Sequence, residues 1–470
     1  MDKYFLSNYK MNINKLIREL SERLNVSIQE LAFLEEKLDY IIFNSNSLES
    51  ILNTYFTLLE KEMASIMTLN ITPSVQLGIK NNYFTFVSFG GKMGASALFK
   101  DVDENTYYSL DSISKILTSV ITMMMIRDGK VLFSDNINSY NSNFLMDASI
   151  ESILKFTAMI QTEKRIDYLS IQETIDILKR CREKVEEKAK YKNYYQYNDI
   201  GYMILRLSIP DFLDRLDTVL SVIDNNNLTY KYTDYKDKIT GGKLGFEYVT
   251  PDPKGQGILF PGHTGLYGNV NGILNLFQKV FYTNDILTSD ELELLLRQPY
   301  DDPSIYTVDG NRAVSKTNRF MYMAKVSGIY RKPNNICDSN FSKIATCDFS
   351  DLTTDRALAS IGTCGSWVMG DDLSYQDKFG YYVASILTNP YSYIPVGRYE
   401  DSCNKIPNTE LSVNQKGMIL GYPAKLNDYK EVMAEYGILL ELLTEYIKST
   451  ELKKELDKKY MVVKQLKRVP

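Results

Sequence analysis

At 470 residues, with 44% hydrophobic and 24% charged residues, the chain has the make-up of a globular protein and the length for one large domain with appendages, or for two or three smaller ones. A net charge of −5 gives no electrostatic reason to expect nucleic acid or anionic lipid as partner. The five cysteines (Cys181, Cys337, Cys347, Cys364, Cys403) are odd in number and scattered, no C-x-x-C occurs, and His263 is the sole histidine; a disulfide framework and a Cys/His metal site are both disfavoured, and no metal or cofactor is expected.

In chain order, the opening "MDKYFLSNYKMNINKLIREL" has no short cationic head followed by an apolar run, so the expectation is a cytoplasmic protein. Residues 11–68 carry apolar positions at helical spacing (Leu16, Ile17, Leu20, Leu24, then Leu31, Leu34, Leu38, Ile41), which predicts two or three helices broken near Asn44–Ser47. From Ser74 the pattern turns to strands, "SVQLGIKNN" and "YFTFVSFGGK", with turns at Asn81-Asn82 and Gly90-Gly91. A helix follows from about Ser112 and ends in "RDGK", with Gly129 at C′. Its apolar run, Ile116 to Ile126, is about half the ~20 residues a membrane span needs. Residues 140–300 read mostly as helices, 300–356 as loop-rich, and "GSWVMGDD" with "FGYYVASILTNP" as two strands around a polar turn. An amphipathic helix, "YKEVMAEYGILLELLTEYIKS", comes last before a charged end.

This order predicts an α+β fold, an antiparallel sheet flanked by helices with a mostly helical region inserted. The expected units are a helical extension over 1–68, a main domain over 69–450 with its insertion at about 131–345, and a charged tail over 451–470. The apolar N-terminal helices leave homo-oligomerisation open.

The chemistry centres on "YYSLDSISKILTSV". Asp111 or Ser112 could cap the helix, and a serine there meets free backbone N–H groups and the positive end of the dipole. Lys115, one turn later, shares its face, and a desolvated lysine can activate a serine hydroxyl. The plain alternative is a capping serine with a solvated lysine. S-x-x-K also occurs at Ser7, Ser152 and Ser402, so context must decide.

"YSLDSISKILTSVITMMMIRDGKVLFSDNINSY", with Asp135 in its turn, resembles the first motif region of the serine β-lactamase-like and penicillin-binding-protein-like hydrolases, the class C-type branch that includes D,D-peptidases, esterases and D-aminopeptidases. "YYQYNDIGYMILRL" resembles the second motif, aligning Tyr197-Asn198-Asp199 with tyrosine-x-asparagine; Asp199 stands where asparagine is commoner. "IGTCGSWVMGDDLSYQDKFGYYVASILTNPYSY" resembles the third, with Thr363-Cys364-Gly365 as its triplet and a threonine where the family has lysine or histidine. "PGHTGLYGNVNGILNLF" matches a segment whose histidine is non-catalytic, so His263 is expected to close a loop.

The resemblance, over roughly residues 72–450, implies Ser112 as nucleophile, Lys115 and Tyr197 as a proton-transfer unit, and an oxyanion hole from the backbone N–H groups of Ser112 and Ser366. It implies a small ester, amide or short peptide as substrate. Two departures, Phe156 with Ala158 in "SIESILKFTAMI" and Thr363, support an alternative: an impaired member that uses the cleft for binding. A Ser-His-Asp hydrolase would need His263 as base and usually a G-x-S-x-G elbow, which the chain lacks; no G-x-x-x-x-G-K-[ST] loop occurs either.

Overall fold

The computed structural model describes residues 3–24, 27–66, 74–93, 100–162, 171–190, 194–195, 199–235, 237–239, 262–297, 306–309, 312–313, 324–326, 329–331, 357–361, 366–371, 382–389, 432–456 and 459–466. Three helices come first: α1 (Lys3–Leu24), α2 (Ala32–Phe43) and α3 (Leu48–Ile66). The break before α3 falls at the expected polar stretch. Ser47 and Ser50 cap it reciprocally, each hydroxyl accepting from the other's backbone N–H at 3.2 and 3.0 Å.

An eight-stranded sheet organises the rest. Its strands are β1 (Ser74–Lys80), β2 (Phe84–Gly91), β3 (Ala324–Val326), β4 (Ile329–Arg331), β5 (Ala357–Ile361), β6 (Ser366–Asp371), β7 (Val383–Asn389) and β8 (Tyr460–Gln465), in the order β3-β4-β5-β6-β7-β1-β2-β8. All neighbours are antiparallel except β8, which runs parallel to β2. The expected hairpins β1–β2 and β6–β7 are both present, and β1 also pairs with β7, Ser74 opposite Asn389. The fold is α+β, as its pattern predicts.

Strand alternation divides the interior in two. Val75, Leu77, Ile79, Phe84, Phe86, Met369, Ala384 and Ile386 face a core built with α1–α3 and with helix α7 (residues 432–448). Val87, Val368, Val383 and Leu387 face the other core, with α4 (Ser114–Arg127), α5 (Ile200–Ser208) and α6 (Val270–Phe277). Gly78 is what lets α6 approach: a Cβ there would lie 2.7 Å from Leu274 Cδ1 and 2.9 Å from Val270 Cγ2. Gln76, beside it, is fully buried; its amide donates to the carbonyls of Asp103 and Thr106 and accepts from Val270 N–H at 2.9 Å.

The N-terminal helices are packed into the core they share with α7 rather than standing off it. Tyr55 Oη donates to the Tyr436 carbonyl at 2.6 Å, and Lys37 Nζ bridges Glu62 (2.8 Å) and Glu435. Burial raises the Glu435 carboxyl above its ordinary range against the pull of Lys37.

Two boundaries differ from those expected. The region inserted at about 131–345 gives way to the main sheet by Ala324, because β3 and β4 are strands of only three residues each within a polar stretch. The segment read as a charged tail over 451–470 contains the edge strand β8, where Tyr460 and Val462 pack on the core of α1–α3 and α7 while Met461 and Val463 face out. Lysine-rich flanks mask that alternation in the sequence. Among the described residues no helix is long and apolar enough to cross a membrane.

Candidate active site

The site is built where the chain turns into α4. Tyr108–Ser109 pairs antiparallel with Tyr267–Gly268, and Leu110 N–H donates to the Leu266 carbonyl at 2.9 Å. Residues Asp111–Ile113 then make one 3-10 turn, and α4 starts at Ser114. Ser112 therefore sits one turn ahead of the α-helix, and neither it nor Asp111 caps α4 through its side chain, contrary to the expectation. Asp111 has φ +43° instead, a left-handed conformation costing about 1–3 kcal/mol in a non-glycine residue. Its carboxylate accepts from Ser109 Oγ at 2.6 Å, which holds the turn. At the far end, Gly129 (φ +67°) occupies C′ as expected: its N–H bonds Ile126 O and that of Lys130 bonds Met125 O, both at 3.0 Å, a Schellman closure.

Lys115 is fully buried, which excludes the solvated-lysine reading. Its Nζ lies 3.0 Å from Ser112 Oγ, 2.8 Å from the His263 carbonyl oxygen and 2.8 Å from Asp199 Oδ1. The carboxylate satisfies a charge that would otherwise be costly to bury. The other described S-x-x-K pair with placed side chains behaves differently: Ser152 Oγ donates to the Ser149 carbonyl, and Lys155 pairs with Glu151 at 2.8 Å.

His263 is buried and contributes its main-chain oxygen to Lys115. The neighbouring bonds explain its position: Thr118 Oγ1 donates to the Gly262 carbonyl at 2.8 Å, and Leu266 N–H to Ser114 Oγ at 3.1 Å. The 262–268 segment is thus stitched along the first turns of α4.

Asp199 immediately precedes α5, whose Tyr202 lies beneath the lysine, with Nζ 5.9 Å from its ring centroid. Phe156 stacks on that ring at 5.2 Å with 19° between planes, held at φ +57°, and Tyr202 Oη donates to the Leu154 carbonyl at 2.9 Å. The first departure thus fills the space behind the lysine with apolar contact. The Asp111–Ile113 turn also lies against β5 and β6, and Ser366, buried at the start of β6, donates its hydroxyl to the Leu110 carbonyl at 3.2 Å. Ser112 with Lys115, Asp199, and Ser366 come from three segments far apart in sequence and meet around this turn. Tyr197, Thr363, Cys364 and Gly365 lie outside the described residues.

The sequence matches no protein-family model and no curated protein. Solved structures do match. The β-lactamase/D-alanine carboxypeptidase from Pseudomonas syringae aligns over 78% of this chain and 98% of its own at 14% identity, with a TM-score of 0.51. A class C β-lactamase from Rhodobacter sphaeroides aligns over 84% of this chain and 99% of its own at 12% identity, TM-score 0.50. The fold is that of the serine β-lactamases and penicillin-binding proteins. An octameric penicillin-binding protein homologue from Pyrococcus abyssi shares it, over 73% of this chain and 75% of its own, at 14% identity and TM-score 0.50.

Two features were not legible in the sequence. The Asp199 ion pair crosses 84 positions, and no local pattern announces it. The role of the His263 carbonyl is carried by backbone, which residue identity does not encode.

Proposed function

We propose that the chain is a serine hydrolase that forms an acyl-enzyme at Ser112 and hydrolyses a small ester or amide, of the esterase, D,D-peptidase or D-aminopeptidase type. The observation that carries this reading is the fully buried Lys115, whose Nζ lies 3.0 Å from Ser112 Oγ. A lysine in that setting is desolvated, fixed and in reach of the hydroxyl proton.

In the proposed reaction Ser112 Oγ attacks the carbonyl carbon and gives its proton to the unit formed by Lys115 and Tyr197. The carbonyl π pair moves to oxygen, held by the N–H groups of Ser112 and Ser366. Collapse breaks the bond to the leaving alkoxide or amine, which takes the proton back. Water then repeats the sequence on the acyl-enzyme. On this reading Asp199 belongs to the second motif, and Thr363, Cys364 and Gly365 form the third. Thr363 brings no cation, so neutral substrates are favoured over those bearing a carboxylate. The chemistry asks for no cofactor.

A second reading, a member that binds in the cleft without turnover, draws on the Asp199 carboxylate 2.8 Å from Lys115, because an ammonium is not a base. Reaction with a fluorophosphonate separates the two. A hydrolase gains one adduct on Ser112, lost in Ser112→Ala; a binding module gains none.

A further inference from the structure

The eight-stranded sheet ends in β8, and the outer side of that strand is built as a pairing edge. Tyr460 N–H donates to the Tyr83 carbonyl at 3.0 Å and Leu466 N–H to the Phe89 carbonyl at 2.7 Å. The even-numbered residues between them spend their main-chain groups on β2, in the register that sets Val462 opposite Phe86. Strand alternation turns the N–H and C=O groups of Met461, Val463 and Gln465 the other way, where no strand takes them up among the described residues. Met461 and Val463 are 57% and 39% exposed. Proteins usually blunt such an edge with a charge, a proline or a bulge. Here the one charge inside the strand, Lys464, is turned over α3 instead, its Nζ 5.1 Å from the Phe56 ring centroid and 3.8 Å from Glu60.

We propose that β8 is the interface through which two copies of this chain associate, their edge strands pairing antiparallel about a twofold axis at Val462. In that register Met461 faces the partner's Val463, Tyr460 the partner's Lys464 and Lys459 the partner's Gln465. Outward main-chain groups then meet outward ones, and Met461 exchanges both N–H···O bonds with the partner's Val463. Apolar side chains oppose apolar ones, and no lysine opposes a lysine within residues 459–465. Moving the axis to Met461 would set Lys459 against the partner's Val463, and moving it to Val463 would set Lys464 against the partner's Val462. A slip by one residue would set outward groups against residues whose main chain is spent on β2.

The other face of the strand supports the same register. Desolvation and the negative charges of Glu455 and Glu49 raise the Tyr460 hydroxyl above its ordinary range, so acidic groups surround this end of β8. The pairing brings the partner's Lys464 to Tyr460, a cation to the acidic end, and the twofold axis repeats the contact. The apolar side chains that α1–α3 bury are spent on the core they share with α7, so this association does not draw on them. A six-residue strand is well short of the roughly 20–30 residues a side of a stable interface. The dimer is therefore weak and sets in with concentration.

The test is sedimentation equilibrium of the full-length protein across roughly the micromolar to millimolar range, in wild type, Val463→Lys and Val463→Pro. Val463 gives no main-chain bond to β2, so the proline removes an outward N–H and leaves the ladder with β2 intact. The lysine variant carries the test alone if the proline variant folds poorly. Wild type should pass from monomer to dimer as concentration rises. Each variant should weaken the dimer about ten-fold or more, since the axis applies every change twice, with the melting temperature of the monomer little moved. The register is read by oxidation of a mixture of Met461→Cys and Val463→Cys chains, whose opposed Cα atoms would lie about 5.5 Å apart, within disulfide reach. The mixture should cross-link between these two positions faster than either variant alone. A wild type that stays monomeric throughout would overturn the proposal, as would a dimer of unchanged strength in the folded variants. Cross-links that form as fast in either single variant would overturn the register.

Discussion

Replacing Lys115 by methionine separates what the lysine does for stability from what it does for chemistry. Methionine refills most of the volume of the buried stem, so little cavity forms. What is lost is the ion pair to Asp199, the bond to the His263 carbonyl and the contact with Ser112 Oγ. Leaving a buried carbonyl without its donor costs about 1–3 kcal/mol, and breaking a buried ion pair costs up to about 3–5 kcal/mol. Asp199 is 27% exposed and can take up water, so we expect the total near the lower figure, about 3 kcal/mol. Lys115→Met/Asp199→Asn removes the stranded carboxylate and should recover about half of that loss, since replacing a whole buried pair is far cheaper than breaking it. Ser112 acylation should fall on the order of 10²–10⁴-fold in both proteins. Thermal unfolding and the rate of labelling by a fluorophosphonate, measured on the same samples, check the two halves. A double variant no more stable than the single one, or a single variant that labels at the wild-type rate, would refute the reasoning.

Three further outcomes follow from other parts of the molecule. His263→Gln should keep most activity, because Lys115 is held by the main-chain oxygen; a loss as deep as that of Ser112→Ala, read in ester turnover, would restore histidine as a base. Thr363→Lys should raise kcat/KM for a chromogenic cephalosporin relative to a nitrophenyl ester by roughly ten- to hundred-fold, the worth of one charge-assisted hydrogen bond of about 1.5–3 kcal/mol; an unchanged ratio would count against the role of that position. Lys80 is half-buried beside Asn275, and desolvation lowers its amine to about 8. The folded protein therefore holds fewer protons there than the unfolded chain between about pH 8 and 10.5, so this burial penalty is full below pH 8 and fades as pH rises. Lys80→Met should raise the melting temperature at pH 7 and lose that advantage by about pH 10, as scanning calorimetry across pH would read.

Much of the architecture was legible because its elements are long and locally consistent. Alternation in "SVQLGIK" and "YFTFVSF" marks β1 and β2, and the helical spacing of Leu34, Leu38 and Ile41 marks the packed face of α2. Ser112 and Lys115 were legible as a pair since one helical turn fixes their proximity, though not the 3-10 turn that carries the serine. The φ of +43° at Asp111 left no sequence signal, because aspartate tolerates that region and no glycine was needed to announce it. Strands β3 and β4 are too short to show a period, and β8 lies among lysines that read as solvated. The Phe156 departure looked like a broken motif. In the fold it is a ring stacked on Tyr202, a contact between elements that only tertiary packing creates.

The measurement that tests the central claim most directly is intact mass followed by peptide mapping after exposure to a fluorophosphonate at mildly alkaline pH. Wild type should gain the mass of a single adduct, mapped to the peptide containing Ser112, and Ser112→Ala should gain none while keeping the wild-type melting temperature. An adduct of equal yield in Ser112→Ala, or one mapped to another residue, would contradict the assignment of Ser112 as the nucleophile served by Lys115.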